Sequence, residues 1–354
     1  MGRLADLRAP AGLAKLGGMR LLLPALAVLL AAAAPTPERL KAPFADLHPA
    51  AVLHLGKTAD WVLASGDAVW VGSTGPFAVH RIDPHTDRVT ALVELPGEPC
   101  AGLAAGFGSL WVPLCGKPNS LARVDLKTNR LIAVLPIGPA AAEGGIAAGG
   151  GSVWMVTDAN GVLARIDPKT GRVRQTVAVP PGSYNPLYRD GVVWVTGHDA
   201  GVVTAVDAAS GAVLATLPVG AGPRFLTAGA GSIWILLQGT GEVVRIDART
   251  RRVSARIAAG LAGRGGDISF GGGRVWPTLA GIPLSEIDAQ TNTLRRQWVG
   301  PGGDSLAWTS GAIWLTDYKA GTVARYPAAA LGGGRAPRFV ARTTGIKTAI
   351  DPDH

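Results

Sequence analysis

The chain has 354 residues, of which 47% are apolar and 17% charged, with a formal net charge of +9. That apolar content excludes a disordered chain and is enough for a large core. Lysine and arginine are scattered along the sequence, with no basic run interleaved with aromatics, so nucleic acid is not an expected partner.

The first segment stands apart from the rest. Arg3, Arg8, Lys15 and Arg20 precede an apolar run from Leu21 to Ala34 that ends in four alanines. A basic start, a short apolar stretch and small residues at its end read as a secretory signal over 1–33, cleaved near Ala33. An uncleaved N-terminal anchor is the alternative. The run is shorter than the roughly 20 residues an ordinary bilayer span needs. The mature protein is therefore expected in the periplasm or outside the cell, as a monomer without a transmembrane span. Residues 34–49 read as a linker. The remaining chain is mildly basic, which favours solubility and weak attraction to anionic surfaces.

After residue 50 one pattern recurs seven times. A small-residue turn leads into a short apolar strand carrying Trp, and a second strand ends in Arg-Ile-Asp or a close variant. The pivots are Trp70, Trp111, Trp154, Trp194, Trp234, Trp276 and Trp314, spaced by 41, 43, 40, 40, 42 and 38 residues. A repeat of about 40 residues with several strands per unit is the signature of propeller blades. The expected fold is all-β, a seven-bladed β-propeller of four-stranded antiparallel blades over 50–342, with a tail at 343–354.

Each blade reads as strands a to d. Strand a is short and small, strand b carries the Trp, strand c ends in Arg-Ile-Asp, and strand d follows a polar turn. The Asp recurs at 83, 125, 167, 207, 247 and 288, where a short acceptor can bond turn N–H groups. A residue present in nearly every blade serves the blade, so neither the Trp nor the Asp column belongs to a site. Leu53-His54-Leu55-Gly56 matches the strand-d ending Leu217-Pro218-Val219-Gly220. The segment 51–55 is therefore a lone strand d, expected to complete the last blade and close the ring. Arg338-Phe339-Val340-Ala341 is a competing or additional outer strand.

Two cysteines, Cys100 and Cys115, flank the a–b hairpin of blade 2, whose turn centres near Phe107-Gly108. Positions facing across that turn bring the two Cβ atoms within disulfide reach. Bridging is expected in an oxidising compartment, with free thiols or a metal pair as the alternative.

The d–a and b–c loops emerge on one face, where the entrance of strand a points into the channel. About ten residues before each Trp the copies differ instead of repeating: Asp60, Ala101, Glu143 with Gly144, Tyr184 with Asn185, Arg224, Asp267 and Asp304. The b–c loops add Thr157-Asp158, His198-Asp199, Gln238 and Asp317-Tyr318-Lys319. The candidate ligand-binding set is Asp60, Glu143, Tyr184, Asn185, Arg224, Asp267, Asp304 and Asp317. Carboxylates from several blades suit Ca²⁺ or Mg²⁺, with Asp60, Asp267 and Asp304 as the candidate metal set. They equally suit a cationic ligand, or a water-filled channel with Arg224 as counter-charge. His198, Asp267 and Asp304 are the candidate acid/base groups.

The G-S-x-W strand and R-I-D-x-x-T-G turn resemble the YVTN/YncE-like and virginiamycin B lyase-like repeat propellers, over about residues 50 to 326. The resemblance to the lyase branch implies Mg²⁺-dependent elimination on cyclic streptogramin lactones, with a His and a Glu at the channel mouth. Here the entrances of blades 6 and 7 read Gly266-Asp267-Ile268 and Gly303-Asp304-Ser305, without His. A more distant likeness, to gluconolactonase-like propellers, implies a divalent metal, with Glu143, Asn185 and Asp304 as nearest equivalents. The YncE-like branch implies a largely non-catalytic propeller. The resulting expectation is an exported propeller that binds a small molecule or a protein at its channel face, or alternatively a divalent-metal-dependent lyase or lactonase.

Overall fold

The computed structural model describes residues 40–331. Within them seven antiparallel sheets form seven blades, and each inner strand contacts the next, the last returning to the first. The inner strands are Thr58–Ser65, the broken pair Glu98–Pro99 and Ala104–Gly106, Ile146–Gly149, Ser183–Arg189, Pro223–Gly229, Ile268–Gly271 and Leu306–Thr309.

The repeated motif is one interlocked unit. In blade 3 Trp154 sits opposite Arg165 in the strand register. The Arg165 guanidinium lies 5.4 Å from the Trp154 ring centre, and its Nε donates to Ser152 Oγ at 2.9 Å. Arg123, Ser109 and Trp111 repeat this in blade 2, and Arg245, Ser232 and Trp234 in blade 5. The Ser of G-S-x-W therefore serves the Arg of R-I-D. That Arg also reaches the next blade: Arg165 donates to Ala209 O, and Arg245 to Ala289 O. The Asp accepts backbone N–H groups two and three residues on, as Asp167 does from Lys169 and Thr170. Such bonds hold the Asp167 and Asp125 carboxylates below the usual range, and at Asp207 the Ser210 hydroxyl leads, joined by the turn N–H groups.

Glycine five residues before the Trp has two uses. Its carbonyl accepts the indole N–H of Trp154, Trp234 and Trp276. Its missing side chain leaves room for an aromatic ring of the next blade: a Cβ on Gly149 would overlap Tyr188, on Gly229 Phe270, and on Gly271 Trp308. Trp308 in turn stacks on Trp276, with ring centres 5.8 Å apart. Gly271→Ala is therefore expected to lower stability by about 1–3 kcal/mol through overpacking, read as a lower denaturant midpoint with an unchanged slope.

Closure follows the sequence expectation. Ala51–His54 pairs antiparallel with Thr322–Pro327 as the outer strand of blade 7. At the same junction Arg325 makes a two-pronged ion pair with Asp87 of blade 1, at 2.6 and 2.8 Å.

Two features depart from the expected plan. Lys41–Pro43, inside the segment read as a linker, adds a fifth strand to blade 6, parallel to Thr293–Val299. The inner strand of blade 2 is broken between Pro99 and Ala104. Its outer piece pairs Glu98 with Cys115, whereas its inner piece pairs Ala104 with Trp111. The Cys100–Cys115 disulfide therefore runs diagonally rather than between directly facing residues, with the Cα atoms 5.7 Å apart. The signal reading over 1–33, the tail at 343–354 and the alternative outer strand at 338–341 lie outside the described residues.

Candidate functional site

The channel mouth is held in shape by a column of threonines that repeat reasoning did not single out. Thr196, Thr278 and Thr316 lie within one residue of the end of strand b in blades 4, 6 and 7, and all are buried. Each accepts a hydrogen bond from the N–H at its own inner-strand entrance: Asn185 to Thr196, Asp267 to Thr278, Ser305 to Thr316. Two then donate onward to the neighbouring blade, Thr196 to Arg224 O at 3.0 Å and Thr278 to Asp304 O at 2.5 Å. These bonds set the height at which Asn185, Asp267 and Asp304 enter the channel.

Asp267 is bound into this scaffold. Its carboxylate accepts from Ile268 N at 2.7 Å, Ser305 Oγ at 2.8 Å and Leu306 N at 3.4 Å. Ser305 Oγ also accepts from Val62 N at 3.0 Å, so blades 6, 7 and 1 are laced through one hydroxyl. Burial pushes Asp267 up to about 7, against the pull of those hydrogen bonds.

Asp60, Glu143 and Asp304 are arranged differently. They surround a cavity of about 400 Å³ lined also by Trp61, Glu98, Pro99 and Tyr318. Asp60 sits at a β-bulge, where Trp61 takes φ 58° and donates its N–H to Asp60 Oδ1 at 2.7 Å. Burial raises the Asp60 carboxyl well above the ordinary value, and Asp304 and Glu143 raise it further. Burial also raises Glu143, helped by Asp304 and opposed by Arg224. Asp304 is raised by burial against its hydrogen bond from Gly266 N, and Asp317 adds to the rise.

The far side of the mouth carries the positive group. Arg224 stacks on the Tyr184 ring at 3.8 Å and donates to Glu143 O at 2.9 Å, reaching from blade 5 to blade 3. Asn185 is buried and spends its amide on Arg224 O. His198 Nδ1 lies 2.8 Å from Asp199 Oδ1, and its ring meets Tyr184 edge-on. Below the mouth, a channel space of about 310 Å³ takes residues from all seven blades, with Asn185, Asp267, Ser269 and Ser305 as its polar residues.

The column of varying residues thus splits into three groups. Asp60, Glu143 and Asp304 share one cavity. Tyr184, Asn185, Arg224 and His198 form a second cluster beside it. Asp267 faces the channel below. Asp317 lines neither space; it accepts the N–H of Ala320 in its own loop and acts on Asp304 through its charge. Trp61 and Tyr318 were not among the expected binding residues, although Tyr318 directly follows Asp317 in the b–c loop.

Of the expected metal set, Asp60 and Asp304 line the cavity at the mouth and Asp267 lines the channel space below. Among the described residues no three His, Cys, Asp or Glu side chains converge closely enough to hold a metal ion. The Asp267 carboxylate accepts instead from Ile268, Ser305 and Leu306.

Fold and mouth together define a seven-bladed propeller with an acidic, aromatic-walled channel entrance. No protein-family model matches the sequence, and no curated protein matches it. Solved structures do share the fold. A streptogramin B lyase structure aligns with TM-score 0.64 and 17% identity, covering 76% of this chain and 93% of the other. BamB from Moraxella catarrhalis aligns with TM-score 0.57 and 14% identity, covering 77% and 85%. The resemblance to virginiamycin B lyase-like propellers therefore holds at the level of the fold.

Proposed function

We propose that this protein is an exported propeller that binds the cationic group of a ligand or protein partner at its channel mouth, without turning it over. One observation carries this reading: the carboxyl groups of Asp60, Glu98, Glu143 and Asp304, from blades 1, 2, 3 and 7, line one cavity walled by Trp61 and Tyr318, and Asp304 and Glu143 repel Asp60. A bound ammonium or guanidinium relieves that repulsion and gains cation–π contact with the rings. The Cys100–Cys115 disulfide supports an oxidising compartment and hence export.

The test is thermal unfolding with choline, arginine amide and a lysine-rich peptide as probes. A ligand that binds only the folded state raises the midpoint. The rise is expected in wild type and lost in Asp60→Asn/Asp304→Asn. It is also expected to be larger at pH 8 than at pH 5.5, because carboxyl groups with raised pKa values ionise only toward the higher pH. Equal shifts in wild type and the double variant would sink the reading.

A second reading, a lyase or lactonase, is favoured by the His198–Asp199 pair, in which the carboxylate orients an imidazole beside Tyr184 and Arg224. The name of the aligned streptogramin B lyase points to the same reaction class. Turnover of a cyclic lactone that disappears in His198→Ala would establish it.

A further inference from the structure

The end of the propeller opposite the mouth carries the a–b and c–d turns, and its composition is uneven. At the first central position of the a–b turns the blades read Gly66, Phe107, Gly150, Asp190, Ala230, Gly272 and Ser310. All seven take positive φ there, a conformation that suits Gly, Asp or Asn and costs a bulky residue on the order of 1–2 kcal/mol. Only blade 2 places a large side chain at this position: Phe107 has φ 56° and is 43% exposed. It closes no core, since the apolar clusters of the fold do not include it. A strained, exposed aromatic in a column of small residues has no use within its own blade.

The surroundings of Phe107 are basic. Leu126 donates its N–H to Gly108 O, which joins the c–d turn of blade 2 to the Phe107 turn. That turn presents Lys127 and Arg130, and the matching turn of blade 3 presents Lys169 and Arg172; all four are exposed. None of the four closes an ion pair within 4.0 Å among the described residues. The nearby carboxylates of Asp125 and Asp167 are turned onto their own turn N–H groups.

We propose that this turn face of blades 2 and 3 docks on an anionic lipid bilayer, with Phe107 entering the interface and Lys127, Arg130, Lys169 and Arg172 meeting the headgroups. An aromatic at a tip ringed by cations is the chemistry of interfacial attachment, apolar insertion combined with headgroup attraction. Turns of one repeat end at similar height and so present a shallow face, which matches a planar surface better than a groove-bound polymer. The acidic mouth lies at the other end, so an anionic surface repels it and leaves it open.

Co-sedimentation of the full-length chain with phosphatidylglycerol/phosphatidylcholine vesicles, against phosphatidylcholine alone, tests this. Every protein compared carries Arg3→Gln/Arg8→Gln/Lys15→Gln/Arg20→Gln, which removes the basic start, and the ratio between the two vesicle types cancels what the apolar run at 21–34 contributes to both. Each basic residue is expected to contribute about fivefold to that ratio at low salt, so Lys127→Glu/Arg130→Glu/Lys169→Glu/Arg172→Glu brings it to that of neutral vesicles. Phe107→Asn suits the turn better than Phe and keeps the fold, yet is expected to weaken binding to anionic vesicles about tenfold. Retention of the anionic preference by the charge-reversed variant would overturn the proposal. So would Phe107→Asn binding as wild type, or tighter binding to duplex DNA than to vesicles with no dependence on Phe107.

Discussion

Leu53→Asp is expected to abolish cooperative folding. Leu53 lies on the strand that closes the ring, is 1% exposed, and packs with Leu55, Val69, Val71, Trp314 and Val323 between blades 7 and 1. Every other blade joins its neighbour through continuous chain, whereas blade 7 acquires its outer strand only by pairing Ala51–His54 with residues at the far end of the sequence. A carboxylate there must be buried unpaired, at a cost of several kcal/mol, in addition to the lost packing. A domain of ordinary stability has about 5–15 kcal/mol to lose. Leu53→Ala retains a neutral side chain and is expected to lose about 2–5 kcal/mol. Val134→Asp, on the exposed edge of blade 2, serves as the control and is expected to unfold near wild type. The measurement is the denaturant midpoint followed by tryptophan fluorescence, since the pivot tryptophans line every blade interface. A cooperative Leu53→Asp transition at the wild-type midpoint would show that the ring does not depend on this strand.

That closure was legible because Leu53-His54-Leu55-Gly56 carries the same strand ending as an interior blade. The blade plan was legible for a related reason: a motif copied seven times reports its structural duty by being copied. The departures arise where no copy exists. Lys41–Pro43 joins blade 6 by backbone strand pairing, which no residue type announces. The break in blade 2 shifts the cysteines by two positions in register, and a hairpin count assumes an unbroken strand. At the mouth, alignment of the copies found the carboxylates by their variation, but variation does not show which way a side chain turns. Asp267 and Asp304 occupy matching positions, yet the first is held by Ser305 and Leu306 while the second faces the cavity. The difference lies in the hydrogen-bond lacing through Thr278 and Ser305, a property of three blades together.

The second large effect is a pH term at His80. Its ring is buried on strand c of blade 1, with Nε2 2.9 Å from Ser73 Oγ, and burial lowers it from 6.5 to about 4. Between those values the unfolded chain takes up a proton that the folded protein refuses. The resulting stability is complete above about pH 6.5 and falls as the pH drops toward 4, by about 3 kcal/mol at most. The mouth works in the opposite direction: Asp267, raised to about 7, is protonated in the folded state where the unfolded chain has already ionised, so its share of stability falls as pH rises from about 4 to 7. Asp60, Glu143 and Asp304 are shifted in the same sense. A single pH scan therefore mixes opposed slopes, and the His80 term has to be read as a difference. The unfolding free energy of wild type minus that of His80→Gln is expected to shrink by about 3 kcal/mol between pH 7 and pH 4, because the carboxyl contributions cancel between two proteins with the same mouth. A difference that stays constant over that range would mean that His80 titrates at its ordinary value, and that the Ser73–His80 contact tolerates a charged ring.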